Sequence, residues 1–159
     1  SLVERGSDRD ARVLSVVEKA IFLQEIDVFS EVPAEQLAYL AAIAEEIARQ
    51  PGDRVYVEED PAEAMFLVLE GRVRLHRGDI EVTVVGSGGA FGTWALFDDE
   101  PRVMSATVLD EPAELLRIDR AEFIEVLADN VQITRAILKA VVRRLRALGR
   151  TVSGRRAAS

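Results

Sequence analysis

The residues best able to do chemistry are Gly86-Ser87-Gly88-Gly89-Ala90-Phe91-Gly92-Thr93-Trp94-Ala95-Leu96, with Arg102 shortly after. Four glycines stand in the seven positions from Gly86 to Gly92. Glycine lacks a Cβ and opens positive-φ conformations. Successive backbone N–H groups can then face one point and form an anion nest. A short helical turn starting near Thr93 would add its N-terminal dipole. Asp98-Asp99-Glu100-Pro101 reads as an exposed turn, and Arg102 follows on the next strand. From there a guanidinium can return to the nest and clamp a phosphate bidentately. The plainer alternative is a glycine-rich corner of a β-protein with Arg102 in solvent. A Walker A loop is excluded, because no Gly-Lys-Ser/Thr follows.

Other chemistries find little material. Cysteine is absent, which removes disulfides, thiol catalysis and zinc–thiolate sites. A single histidine, His76, removes any multi-histidine metal centre. His76 shares the polar face of its strand with Arg74 and is expected to be exposed. Glu58-Glu59-Asp60 and Asp98-Asp99-Glu100 have the oxygen ligands a hard cation needs. Both lie at expected turns, where acids are ordinarily solvated, so no metal is assigned. Arg77-Gly78-Asp79 is read as a hairpin turn. The glycines around Ser87 have the wrong spacing for a nucleophile elbow. No nucleophile has a base and an orienting acid, so no catalytic residue and no enzymatic activity are assigned.

The elements that must position the glycine run fall into three zones. The chain has 159 residues, enough for one domain with helical extensions. From Asp8 to about Arg49 apolar residues recur with helical spacing. Val13, Val16, Val17, Ala20, Ile21 and Leu23 fit one amphipathic helix. Leu37, Leu40, Ile43, Ala44 and Ile47 fit a second, with Pro33 in its first turn. After Pro51-Gly52-Asp53 the period becomes two. Val55 and Val57 alternate with polar residues, and Met65 to Leu69 reads as a strand buried on both faces. Val73 and Leu75, then Ile80, Val82 and Val84, form a hairpin. Val103 to Leu109 and Leu115 to Ile118 complete a set of short strands, which implies a β-sandwich or β-roll. From Arg120 the helical period returns. Ala121 to Ala128 is a short helix and Val131 to Leu148 a longer one. Its stripe is Ile137, Leu138, Val141, Val142, Leu145 and Leu148, and Gly149 is a stop signal.

The glycine run and its surroundings resemble a known family. Phe91-Gly92-Thr93-Trp94-Ala95-Leu96, a short turn and Pro101-Arg102 are similar to the phosphate-binding cassette of cyclic nucleotide-binding domains. This is the type found in the catabolite activator protein and in protein kinase A regulatory subunits. Asp27-Val28-Phe29-Ser30, Pro51-Gly52-Asp53-Arg54-Val55-Tyr56, Met65 to Leu75 and Leu115 to Phe123 resemble further motifs of that family in the same order. Together they cover about residues 20 to 148. The resemblance implies a mostly β fold, an eight-stranded β-roll of the jelly-roll type, with N-terminal helices and a long C-terminal helix. The implied domains are a tail (1–7), an N-terminal helical segment (8–50), the roll (51–120) with its cassette at 86–107, C-terminal helices (121–148) and a disordered tail (149–159). It implies a cyclic nucleotide, cyclic AMP or a relative, held by Gly88, Gly89, Phe91, Gly92, Thr93, Trp94, Ala95, Leu96, Arg102, Val103, Met104 and Ser105. A residue between Gln132 and Lys139 would cover the base.

The sequence also departs from the family pattern. The cassette Glu that accepts from the ribose hydroxyl is Thr93 here. Small residues after the Arg are replaced by Val103-Met104. An alternative register aligns Ser105-Ala106-Thr107-Val108 with the family's motif and puts Met104 at the Arg position. The family's turn glycine is Glu59. Two functional readings follow. One is a non-enzymatic regulatory module that binds cyclic AMP and signals by moving its C-terminal helix. The other is a degenerate roll without ligand, serving dimerisation or docking in a larger protein such as a transporter or helical-repeat protein. No cofactor is expected. A homodimer through the C-terminal helix is expected, and the formal charge of −8 argues against DNA or RNA as the main partner. No apolar run reaches the roughly 20 residues of a membrane span, and no signal peptide is seen, so the expected location is cytoplasmic. The start at Ser1 suits a module of something longer, and too few residues follow Leu148 for a helix-turn-helix unit.

Overall fold

The computed structural model describes residues 14–158, with side chains through Thr151. The expected tail at 1–7, and Val13, lie outside them. Helix α1 (Val16–Gln24) leads through a 3-10 turn (Asp27–Phe29) into α2 (Ala34–Ile43). Eight strands follow: β1 (Ala44–Arg49), β2 (Arg54–Tyr56), β3 (Ala64–Glu70), β4 (Val73–Arg77), β5 (Ile80–Val85), β6 (Ala90–Phe91), β7 (Ser105–Val108) and β8 (Ala113–Asp119). A second 3-10 turn, Thr93–Leu96, lies between β6 and β7. Helices α3 (Arg120–Asp129) and α4 (Val131–Ala158) end the chain. The strands form two antiparallel four-stranded sheets, ordered β1-β8-β3-β6 and β2-β7-β4-β5. This is the eight-stranded roll with flanking helices that the resemblance implied.

Strand β3 explains how the two halves of the core are held together. Side chains alternate across a strand. Met65 and Leu67 pack with Leu23, Phe29, Leu37, Leu40, Phe123 and Ile133 of the helical layer. Phe66 and Val68 pack with Val73, Leu75, Phe91, Ala106 and Leu115 inside the roll. The continuous apolar run from Met65 is therefore needed, because both faces of β3 are covered.

Several expectations are corrected. The second helix stops at Ile43, and 44–49 is a strand rather than helix, so the roll starts before residue 51. Residues 44–49 pair one for one with β8, from Ala44 opposite Ile118 to Arg49 opposite Ala113. That ladder overrides a helix-compatible pattern. In α1 only Leu23 is fully buried, while Val16, Val17 and Ile21 face solvent. The apolar residues of β5 also lie outside, with Ile80 73% exposed. The C-terminal stripe splits: Ile137 is buried, but Leu138, Val142, Leu145 and Leu148 are exposed. Gly149 does not end α4, which runs to Ala158 through the segment expected to be disordered. A helical glycine costs only about 1 kcal/mol, and Gly149 lacks the positive φ of a helix stop. Among the described residues no helix is long and apolar enough to cross a membrane.

Gly71, with φ +88°, turns β3 into β4, and a Cβ there would sit 2.7 Å from the Pro112 carbonyl oxygen. Gly71→Ala is expected to destabilise the fold by more than about 1 kcal/mol, read as a lower urea midpoint. An unchanged midpoint would contradict this packing.

Candidate functional site

Arg102 is fixed first by its backbone. Its N–H donates to the Asp60 carbonyl at 2.9 Å, and its own carbonyl accepts from the Glu59 N–H at 2.8 Å. Glu59, at the family's glycine position, adopts φ +72° to make that contact. The side chain then runs inward and is only 7% exposed. Its Nη2 donates to the Ala64 carbonyl of β3 at 2.5 Å. The guanidinium carbon lies 3.9 Å from the centre of the Tyr56 ring, a cation–π contact. Tyr56 in turn packs on Phe66 and Phe91, at 6.1 and 6.0 Å between ring centres. Among the described residues the buried Nε has no hydrogen-bond partner. Loss of hydration lowers the Arg102 pKa. The Tyr56 hydroxyl raises it in opposition, Arg117 lowers it further, and Asp60 and Glu63 raise it. Burial likewise pushes Tyr56 up, against the pull of Arg102.

Gly92 is glycine for two reasons. Its φ is +68°, and a Cβ would lie 2.6 Å from Arg102 Nη1. The left-handed residue starts the Thr93–Leu96 turn, in which the Ala95 N–H donates to the Gly92 carbonyl. The upstream glycines behave differently. Gly88 N–H donates to the Val68 carbonyl, and Gly89 N–H to the Gly86 carbonyl. Those two amides serve the β5–β6 corner, which narrows the expected nest to the backbone around Gly92.

Two adjoining cavities open here. One, of about 320 Å³, is lined by Arg102, Gly92, Ala95, Val103, Met104 and Tyr56 among others. The second, of about 430 Å³, is lined by Gly88 to Trp94, Met104, the Glu25–Val28 segment and Arg144. They share Leu75, Gly92, Trp94 and Met104. Trp94 is 56% exposed, so its indole stands at the rim and leaves the hollow open.

The candidate residues therefore separate. Gly88, Gly89, Phe91, Gly92, Thr93, Trp94, Ala95, Arg102, Val103 and Met104 line one cavity or both. The Phe91 ring is nonetheless a core group, stacked on Phe66 at 5.3 Å. Leu96 is buried in the helical core and lines neither. Ser105 is buried in β7, where its hydroxyl accepts from the Glu58 N–H at 3.0 Å. None of the residues from Gln132 to Lys139 lines these cavities; Arg144, further along the same helix, does. Tyr56 and Arg144 were missed because a lone aromatic on a short strand and one arginine among many carry no sequence signal.

His76 is corrected as well. It is buried, not exposed: it keeps the strand face it shares with Arg74, and its ring is closed in between the Gly78 carbonyl and the Thr107 hydroxyl on that face. Nδ1 lies 2.7 Å from the Gly78 carbonyl and must carry the proton, so Nε2 accepts from the Thr107 hydroxyl at 2.7 Å. The acidic runs are also occupied. Glu58 accepts from the Gly78 N–H, Asp60 from the Val57 N–H, and Asp99 pairs with Arg120. No set of three His, Asp or Glu side chains among the described residues is placed to hold a metal ion.

The sequence pattern that defines the cyclic nucleotide-binding domain matches residues 46–130. The chain belongs to the cyclic nucleotide-binding domain family. The CRP-like cAMP-activated global transcriptional regulator of Mycobacterium tuberculosis is 26% identical over 129 residues, which is 78% of this chain and 57% of the relative. The cyclic AMP receptor protein of Thermus thermophilus is 30% identical over 100 residues, 60% of this chain and 46% of the relative. The chain thus spans about half the length of each. The crystal structure of the N-terminal domain of a transcriptional regulator from Streptomyces coelicolor A3(2) superposes with a TM-score of 0.75 at 32% identity. It covers 80% of this chain and 94% of that one.

Gly92→Ala is expected to lower unfolding stability by about 1–3 kcal/mol, since both backbone and guanidinium must move. Adding Arg102→Ala should recover part of that loss, because the clash then disappears. Strictly additive losses in the double-mutant cycle would show that the two residues do not touch.

Proposed function

We propose that this domain is a non-enzymatic sensor whose ligand is a cyclic nucleotide, cyclic AMP, with its phosphate at the Gly92–Arg102 corner. The observation that carries the reading is Arg102: a cation almost wholly out of water, beside an open cavity, with one N–H unpartnered. A buried charge of this kind is costly unless an anion meets it. A cyclic phosphate is a monoanion and supplies one charge. The ungapped register is adopted, since Arg102 is the residue whose guanidinium lies against Gly92. The similarity to a cAMP-activated transcriptional regulator and to a cyclic AMP receptor protein supports cyclic AMP as the ligand.

The output passes through α4. Its first part is anchored by buried Ile133 and Ile137, while Arg143 pairs with Glu31 and Arg144 with Asp27. The second pair borders the cavity, so a ligand there changes how α4 is held. Exposed Leu138, Val142 and Leu145 follow one another at intervals of four and three, the spacing of a coiled-coil seam. That spacing supports pairing of α4 with a second copy. The acidic charge argument against nucleic acid applies to these residues alone, since the relatives named as transcriptional regulators are longer.

Titration calorimetry tests the ligand. Arg102→Ala should weaken cyclic AMP binding by roughly 2–5 kcal/mol, about thirtyfold or more. Thr93→Glu should strengthen it by roughly 1.5–3 kcal/mol through a charge-assisted bond to the ribose. Millimolar affinity that Arg102→Ala leaves unaltered would overturn the reading. For the dimer, Leu145→Glu should convert a dimer to monomer in sedimentation equilibrium; a wild type that is already monomeric at micromolar concentration would contradict it.

A further inference from the structure

Strand β2 breaks its regular pairing just before one side chain. Arg54 pairs with Thr107 and Tyr56 with Ala106, so β2 carries one residue more than β7 at Val55. A bulge of this kind re-aims the side chain that follows it. Arg54 is exposed, whereas Tyr56, two residues on, packs with Val55 and Ala106 inside the roll. The contact between the two segments continues past the strand, where Glu59 and Asp60 hold the Arg102 backbone by hydrogen bonds. Phenol ring and guanidinium are therefore set by one stretch of paired backbone, with 3.9 Å between the guanidinium carbon and the ring centre. Phe66 and Phe91, stacked on each other, stand against the Tyr56 ring and keep it from backing away. Tyr56 also lines the cavity that Arg102 borders.

Resting on the reading that a ligand's phosphate meets Arg102, we propose that Tyr56 is a positioning residue for that phosphate, acting through the guanidinium. An arginine loses side-chain freedom when it closes on an anion. Here the ring lies against the guanidinium and the Ala64 carbonyl accepts from Nη2, so that freedom is already lost on folding. The remaining N–H groups are left for an anion: Nη1 at Gly92, and Nε, which has no partner among the described residues. A phosphate entering the cavity thus meets a cation that is already oriented. The attraction comes from the face of the ring and not from the hydroxyl, so the role belongs to the aromatic ring itself.

A double-mutant cycle with Arg102→Ala tests this, using cyclic AMP titrations of the full chain by calorimetry, and by chemical shift for the weaker variants. Tyr56→Leu should weaken binding by roughly five- to thirtyfold, and Tyr56→Phe, which keeps the ring, by no more than about twofold. In the Arg102→Ala background, Tyr56→Leu should change affinity by less than about twofold. A ring that merely supports the fold would weaken binding alike in both backgrounds, and that result overturns the inference. If Tyr56→Leu does not fold, Tyr56→Met, which is long and apolar but has no ring, is measured in its place. The Arg102 Nε–H resonance gives a reading without ligand. It should exchange slowly with water in wild type and Tyr56→Phe and rapidly in Tyr56→Leu; equal exchange in all three contradicts the proposal. Equal affinity of wild type and Tyr56→Leu, while Arg102→Ala still weakens cyclic AMP, overturns this inference alone. If wild type does not bind cyclic AMP, the ligand reading falls and takes this inference with it.

Discussion

A guanidinium held out of water is the constraint around which this domain is arranged. Arg102 has given up most of its hydration for one carbonyl, one aromatic face and an unpartnered Nε. Each neighbour is fixed by that choice. Gly92 has no Cβ because the guanidinium occupies its place. Tyr56 lies flat beneath the charge, backed by Phe66 and Phe91. The Val57–Asp60 turn grips the Arg102 backbone on both sides, at the expense of a left-handed Glu59. A protein selected only for stability replaces such a charge with an apolar side chain. Retention of the charge makes physical sense where an anion arrives to complete it.

The roll and the helices share a single mechanical path. Strand β3 carries Ala64, whose carbonyl receives Arg102, and the next residues of β3 alternate between roll and helical core. The Thr93–Leu96 turn starts at Gly92 and buries Leu96 among the helices. Trp94 stands between the two lobes of the cavity and the groove beneath α4. A shift at the Gly92–Arg102 corner has contiguous, close-packed neighbours through which to reach α4. The Arg143 and Arg144 ion pairs are the weakest links in that path, as both are partly solvated.

Much of this arrangement was legible in the residues. The continuous run Met65 to Leu69 announces a strand covered on both faces, and the glycines with Pro101-Arg102 point to the corner at which Gly92 meets the Arg102 guanidinium. What stayed hidden depended on tertiary pairing. Ala44 to Arg49 has a pattern that suits helix or strand, and only the ladder with β8 decides it. His76 alternates like an exposed residue, yet its ring is closed in between the Gly78 carbonyl and the Thr107 hydroxyl, which only the fold brings together. Gly88 and Gly89 look like nest residues, yet their amides are consumed by the corner they build. Arg144 is one arginine on a basic helix face, and only the approach of α4 to Asp27 brings it to the cavity.

The most direct test is the unfolding free energy of Arg102→Met against wild type, measured in urea with and without saturating cyclic AMP. Without ligand, the variant should match or exceed wild type, since an apolar side chain replaces an incompletely paired charge. With ligand, wild type alone should gain stability. A variant that is markedly weaker without ligand, beside a wild type that cyclic AMP leaves unchanged, would mean that Arg102 is only a structural prop.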